Sequence, residues 1–319
     1  MRRTQLFAAL VALLVIVAAG AGALWTGLVF LDRSLPSTSV QVIIPRGATL
    51  SDIATLLESH GVIRNALSFR ILARVRHADE EVRAGAYAFA PHESASEILE
   101  QLRSGGAQVA TWVTIPEGFT AAQIAQRLQV EGVGRATAFE RAFRGHEGYL
   151  FPSTYLVPLA ATPAQVTSML TDQFAKELPP DAAARARALH VSVAQAVTVA
   201  SLVEREAQIE PDRPLIAGVI YNRLRLGMPL QIDATVEYAL PNHKSELSLH
   251  DLQVNSPYNT YQHTGLPPTP IANPGLPSLL AALHPAKTDA LYYVYCGNGH
   301  HVFAKTLAEH QANVARCLH

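Results

Sequence analysis

The feature that most constrains this chain is an uncharged apolar run from Leu6 to Leu31, LFAALVALLVIVAAGAGALWTGLVFL. As a helix rising 1.5 Å per residue, it exceeds the ~30 Å hydrocarbon core of a bilayer. Arg2 and Arg3 precede the run, and Asp32 and Arg33 follow it. Positive residues favour the cytoplasmic side, so a single-pass anchor is expected, N-terminus inside and the rest exported. Trp25 suits the far interface. The rival reading is a cleaved leader, for which Ala21-Gly22-Ala23 offers small residues at a cleavage site. The run continues past that site and is longer than an ordinary leader core. Either reading places residues 34–319 outside the cytoplasm.

The remainder is long enough for one or two globular domains, and with 49% apolar residues overall it can bury a sizeable core. A formal net charge of −1 and the lack of a Lys/Arg run give no support to nucleic-acid binding. Cys296 and Cys317 are the two cysteines. They form no C-x-x-C pair, so zinc and redox motifs are unsupported. An exported domain permits a disulfide between them, and two unpaired thiols remain the alternative.

Two segments match at an offset of about 71 residues: VIIPRGATLSDIATLLESHGV from Val42 and VTIPEGFTAAQIAQRLQVEGV from Val113. Each reads as a strand, a Pro/Gly turn, a Thr N-cap and a short amphipathic helix, stopped at Gly61 or Gly132. Between them lie a predicted strand, Ala84 to Phe89, and a helix from Ser94 to Leu102 with Ser94 and Glu97 at capping-box spacing. The V-x-I-P-x-G-x-T unit resembles the LysM module, which binds N-acetylglucosamine-containing glycan. The competing reading is an α+β spacer that binds no sugar.

From about residue 141 the pattern turns mostly helical. Ala183 to Gln208 reads as one helix in which Val193, Val197, Ala200, Ser201 and Glu204 share a face. Glu206 projects to the opposite face beside Arg205, where a solvated carboxylate is expected. An inward, unpaired Glu204 would resist ionisation and so suit a general acid near neutral pH. The bland alternative is a salt bridge to a core arginine such as Arg223 or Arg225. PLQIDATVEYAL places Asp233 in a loop-like stretch with Gln231 and Thr235. SPYNTYQHTGLPPTPIANPG is a Pro/Gly-rich stretch of the kind that walls a pocket, with Tyr258, Asn259, Thr260 and Tyr261 as polar and aromatic groups. The end reads as a hairpin (Ala290 to Cys296, His300 to Phe303, turn at 297–299) and a final helix capped by Thr306. Scattered histidines form no metal-binding spacing, and no nucleotide or hydrolase-elbow motif occurs.

ASLVEREAQ, IYNRLRLGMPLQIDATVEYAL, SPYNTYQHTGLPPTPIANPG, HPAKT and GHHVFAKTLAEH together resemble the motifs of the YceG-like, or MltG-type, family of endolytic murein transglycosylases. EGYLFPSTY, from Glu147, is similar to that family's opening motif, with Ser153 where Asp is usual. The likeness runs over nearly the whole chain, with the motifs in the family's order. It implies an α+β fold: a transmembrane helix in residues 1–33, a LysM-like region over 38–140, and a mainly helical, lysozyme-like catalytic domain over 141–319 with a small β-hairpin. It implies Glu204 as catalytic acid and base, and places His301 in a family motif that lines the cleft. Read from the residues themselves, Gln231, Tyr258 and Asn259 are candidate substrate-pocket residues, with core packing as the alternative for Tyr258, and Asp233 is a candidate site-shaping residue with structural capping as its alternative; no cofactor or metal is expected. His301 has a structural hydrogen bond as its alternative role.

The implied reaction cuts the MurNAc–GlcNAc bond of nascent strands to leave 1,6-anhydro ends. The implied location is the bacterial inner membrane, with peptidoglycan strands and the bilayer as partners and peptidoglycan synthases as neighbours. The competing functions are a hydrolytic muramidase pairing Glu204 with Asp233, and a non-catalytic wall-binding scaffold.

Overall fold

The computed structural model describes residues 13–17, 19–20, 38–77, 82–106, 108–240 and 247–317. Most of the apolar N-terminal run therefore lies outside the described residues. Within it, 13–17 and 19–20 are helical, and Leu13 to Val17 are exposed. Among the described residues no single helix is long and apolar enough to cross a membrane.

In chain order the elements are β1 (Val40–Ile44), α1 (Leu50–Ser59), α2 (Ala66–Val75), β2 (Gly85–Phe89), α3 (Ala95–Ser104), β3 (Gln108–Thr114), α4 (Ala121–Val130) and α5 (Ala136–Ala142). They continue with β4 (Thr154–Pro158), α6 (Pro163–Glu177), α7 (Ala182–Ala188), α8 (Val193–Glu206), α9 (Arg213–Leu226) and α10 (Asp233–Ala239). The last are α11 (Leu276–Leu283), β5 (Tyr292–Tyr295), β6 (His301–Ala304) and α12 (Leu307–Cys317). The fold is thus mixed α+β.

The chain forms two compact units. One holds the chain up to Trp112 together with Leu156–Ala160, and the other holds Val113–Tyr155 and Ala161–His319. The second repeat, from Val113, falls in the second of these units.

Both repeats fold as their sequences indicate. Thr49 caps α1 and Thr120 caps α4. Each hydroxyl accepts the N–H three residues on, and Asp52 or Gln123 reaches back to complete a capping box. At the far ends Gly61 (φ 69°) and Gly132 (φ 81°) take the left-handed conformation. That lets Val62 N–H reach the Leu57 carbonyl and Val133 N–H the Leu128 carbonyl, the same closing bond in both copies. Ser94 and Glu97 form the expected box on α3.

The strands pair in the order β1-β2-β3-β4, and in the first unit β1 is antiparallel to β2 from Val40↔Phe89 to Ile44↔Gly85. Val42, Ile44, Ile53, Leu57, Phe69, Tyr87, Phe89, Ile98 and Leu102 form its core. Fully burying an aliphatic or aromatic side chain contributes about 1.5–3 kcal/mol, so these residues dominate the unit's stability.

The second unit is built around α8. All eight residues from Ala196 to Val203 are buried, against α9, α11 and the 271–273 segment. Here the single helix expected over 183–208 is corrected. The chain breaks between α7 and α8, with an 87° bend and His190 at φ 58°. Ser192 caps α8 through a full box with Gln195. That S-x-x-Q spacing is the sequence signal for the break, and the high Ala content masked it.

The C-terminal hairpin and helix form as expected, in register Tyr292↔Ala304 to Tyr295↔His301, with Thr306 and Glu309 in mutual capping bonds. Cys296 and Cys317 are joined as a disulfide. α12 buries no residue of its own, so the disulfide and the stacking of His310 on Tyr292 hold it to the hairpin.

Candidate active site

Ser201 and Glu204 lie one turn apart on α8 and hold the two ends of one short turn. Ser201 Oγ accepts the Ile271 N–H at 3.1 Å, and Glu204 Oε2 accepts the Gly275 N–H at 3.0 Å. The turn between them is the ANPG segment, and Gly275 is the N-cap of α11. The Glu204 side chain is 6% exposed. Its other oxygen accepts from Arg213 Nη1 at 3.2 Å, and Arg213 also donates to Ser278 Oγ.

Glu204 therefore faces inward as expected, but it is not the unpaired carboxyl anticipated. Its partner is neither Arg223 nor Arg225. Arg223 donates to the backbone carbonyls of Leu291, Leu230 and Pro229, and Arg225 donates to Asn222. Arg213 reaches Glu204 because the short Glu210–Asp212 turn sets the start of α9 beside the end of α8.

Asn273, wholly buried in the same turn, joins three segments. Its Oδ1 accepts the N–H groups of Gly148 (2.9 Å) and Leu150 (2.8 Å), and its Nδ2 donates to the Phe119 carbonyl (2.9 Å) and Glu147 Oε1 (2.8 Å). Backbone bonds Gly118 N–H to Asn273 O and Asn273 N–H to Phe119 O complete the junction. The I-P-E-G-F-T turn of the second repeat is thereby fastened against the turn that carries Gly275. Glu117 is exposed on that turn. Its carboxyl occupies the space where a Cβ on Gly275 would stand, so a side chain at 275 would displace the end of Glu117. Burial and the Glu204 charge push the Glu117 carboxyl up from the ordinary carboxylate range, against the pull of Arg213.

Glu147 accepts the Ala121 N–H at the start of α4, the Tyr238 hydroxyl and the Asn273 amide. Burial outweighs those bonds and raises it to about 7. It lines a cleft of about 670 Å³ with Gln195, Thr198, Tyr238, Tyr258 and the Pro267–Pro268 wall. The Pro/Gly-rich stretch thus walls a cleft, though Glu204 does not line it.

Glu206 is a second correction. The solvated carboxylate expected there is partly buried, and it accepts the Tyr293 hydroxyl at 2.9 Å. It is raised to about 7, first by burial and then by Asp233 and Glu237. Helix projection missed this because β5 brings Tyr293 over the end of α8.

The other expected site residues take different places. Asp233 opens α10 rather than sitting in a loop, is exposed, and accepts the Tyr261 hydroxyl. Gln231 is exposed at φ 53°, its N–H bonded to the Thr260 carbonyl. A non-glycine residue held there costs on the order of 1 kcal/mol, and such strain clusters at functional sites. The Tyr258 ring meets Tyr238 at 4.9 Å and its hydroxyl bonds Thr269. Asn259 is corrected: it is wholly buried, its amide donates to the Leu252 and Val254 carbonyls, and it accepts the Tyr261 N–H. With those bonds made, it orders its loop and has no surface for a ligand. His301 is buried against Asp212, which accepts from its N–H at 2.7 Å and lies 3.0 Å from its Nδ1.

The profile of the YceG-like family matches residues 42–316. A Bacillus subtilis protein named endolytic murein transglycosylase is 35% identical over 308 residues, covering 86% of this chain and 83% of that protein. A Streptococcus pneumoniae protein of the same name is 30% identical, covering 89% of this chain and 60% of its own length. A crystal structure of a YceG-like protein from Listeria monocytogenes superposes with a TM-score of 0.61 at 33% identity, over 87% of this chain and 99% of that one.

Proposed function

The chain belongs to the YceG-like family, and from that premise we propose that it cleaves nascent peptidoglycan endolytically, with Glu204 as the single acid and base. Like the relatives named for this activity, it is a murein transglycosylase, a lyase acting on peptidoglycan. The observation that carries the reading is the placement of Glu204. It is a carboxyl 6% exposed, at the end of a buried helix, fixed by Arg213 and by the N–H of Gly275.

In the proposed reaction Glu204 protonates the oxygen between MurNAc C1 and GlcNAc as that bond breaks. It then takes the proton of the muramyl C6 hydroxyl as O6 closes onto C1. The product ends in a 1,6-anhydro ring and no water is consumed. Holding C6–OH near C1 makes the second step intramolecular, worth several kcal/mol in ordering alone. Gln231, Asp233 and Tyr258 are assigned to the substrate surface, and His301 to fixing the hairpin through Asp212. The region 38–140 is assigned as LysM-like, presenting glycan to the catalytic part.

The apolar run at 6–31 is assigned as the anchor, with the catalytic part outside the cytoplasmic membrane. The Cys296–Cys317 disulfide supports that side, since such bonds persist in oxidising compartments. Peptidoglycan synthases are the expected neighbours there.

The test is digestion of purified glycan strands by wild type and Glu204→Gln, with product ends read by mass spectrometry. Internal fragments with anhydro ends, lost in the variant, are expected. Reducing ends would make the enzyme a hydrolase, and full activity in the variant would remove Glu204 from the chemistry.

A further inference from the structure

The helix α2 is apolar on two faces. Phe69 and Ala73 are buried in the core of the first unit. On the opposite side Leu67 (60% exposed), Ile71 (43%) and Val75 (69%) follow one another at i, i+4 and i+8. They form an open aliphatic stripe about 12 Å long, and helical spacing sets Arg70 and Arg74 along one edge of it. We propose that this face of α2 docks on the anionic lipid surface of the membrane that holds the chain: Leu67, Ile71 and Val75 enter the headgroup layer, and Arg70 and Arg74 pair with lipid phosphate. The proposal rests on the apolar run at 6–31 being the anchor, as above.

The fold does not need the stripe. Asn65 and Arg135 are the N-cap residues of α2 and α5, the helices that follow the two repeats. Phe69 and Phe139, each four residues past its cap, are both buried. Counted from the cap, Leu67 corresponds to Thr137 and Ile71 to Arg141, and all four are exposed. The sister helix thus buries the same aromatic with polar residues outside. An aliphatic row left in water adds nothing to folding and marks a contact surface.

Charge and reach identify what covers it. Residues 64–77 carry Arg64, Arg70, Arg74 and Arg76 and no acid. Among the described residues Arg70 and Arg74 are in no ion pair. The acids Asp79, Glu80 and Glu81 come after the helix end and lie outside the described residues. A helix whose aliphatic face is edged by arginine suits a bilayer interface, where the apolar side sinks among the headgroups and the cations meet anionic lipid. The stripe holds no aromatic ring, so it is unsuited to stacking on sugar. Residues 32–39 separate Leu31 from β1. At ~3.3–3.6 Å each they span at most about 30 Å, so the anchor keeps the first unit beside the bilayer. That tether makes docking an intramolecular event, for which a short stripe and two arginines suffice.

The experiment uses the full chain in phosphatidylcholine vesicles with and without phosphatidylglycerol. The two native cysteines are joined, so Ile71→Cys or Glu100→Cys adds a single site for a nitroxide label. Glu100 is exposed on α3 and serves as the control. With phosphatidylglycerol present, the label at 71 should be open to oxygen and shielded from an aqueous nickel chelate, and the label at 100 the reverse. Each arginine at an anionic surface shifts the docked-to-free ratio by about fivefold, so Arg70→Gln with Arg74→Gln should lower it about thirtyfold. Omitting phosphatidylglycerol or raising salt should act in the same direction. Leu67→Ser with Val75→Ser should release α2 while circular dichroism stays unchanged, since both side chains are exposed. A label at 71 as open to the nickel chelate as the label at 100 would overturn the proposal. So would shielding of 71 from both reagents, which would mean that protein, such as a second copy of the chain, covers the stripe. A label at Val15→Cys open to the chelate would instead overturn the anchor reading, so the two failures are distinguishable.

Discussion

Replacing Asn273 by alanine tests how the site is held together. The side chain makes four hydrogen bonds and is wholly buried. In Asn273→Ala the N–H groups of Gly148 and Leu150, both buried, lose their acceptor. The Phe119 carbonyl keeps the Asn273 backbone N–H, and Glu147 keeps Ala121 and Tyr238. Two orphaned buried donors at about 1–3 kcal/mol each give a loss of about 4 kcal/mol. At ~2–4 °C per kcal/mol for a unit of this size, the melting temperature should fall by about 10 °C.

Asn273→Asp keeps both acceptor bonds but points a second oxygen at Glu147 Oε1 and the Phe119 carbonyl. Glu147, raised to about 7, can donate to that oxygen only while protonated. The cost of Asn273→Asp should therefore shrink as pH falls through about 7, and pairing it with Glu147→Gln should remove the pH dependence. Urea titrations at pH 6 and pH 8 measure both effects. A loss under about 1 kcal/mol for the alanine variant, or a pH-independent aspartate variant, would refute the account of Asn273 as the junction.

Three further outcomes are expected. Glu206 binds its proton more tightly folded (about 7) than unfolded (ordinary value 4.5), so it lowers stability as pH rises between those values. Glu206→Gln should gain up to about 3 kcal/mol at pH 8 and nothing near pH 4, read by denaturant unfolding. Gln231→Gly relieves the φ of 53° and should raise stability by about 1 kcal/mol in the same assay. If the side chain contacts glycan, KM should rise while kcat holds; an unchanged KM removes Gln231 from the substrate surface. Cys296→Ser should free α12, seen as fast amide exchange confined to residues 307–317, because no residue of that helix is fully buried. Retained protection there would mean that the His310–Tyr292 stacking suffices.

Local signals were the legible ones. Thr49, Ser94, Thr120 and Thr306 cap where they were expected to, because a cap depends only on residues three or four positions away. The inward direction of Glu204 was legible for the same reason, since Ser201 and Glu204 must share a helix face. The break at His190 was equally local, in Ser192 and Gln195, and was hidden by Ala-rich composition.

Partners distant in sequence were not legible. Periodicity assigns Glu206 to a solvated face, but Tyr293, 87 positions on, covers it. Asn259 carries a sugar-binding type of side chain, yet folding of its own loop buries it and uses both its amide donors and an acceptor bond of its Oδ1. Glu117 lies in a motif read as part of a repeat, and only the Asn273 junction brings it to Gly275.

The sequence by itself determined the family, the repeats, the caps and which face of α8 turns inward, because each follows from motif order or from spacing within a few turns. Only the tertiary structure decided that Arg213 is the partner of Glu204, that Glu117 stands beside it, and that Glu147 and Glu206 are the carboxyls raised to about 7. Charge state and pairing depend on burial and on neighbours within a few ångströms, and those neighbours come from segments up to 158 residues apart in the chain.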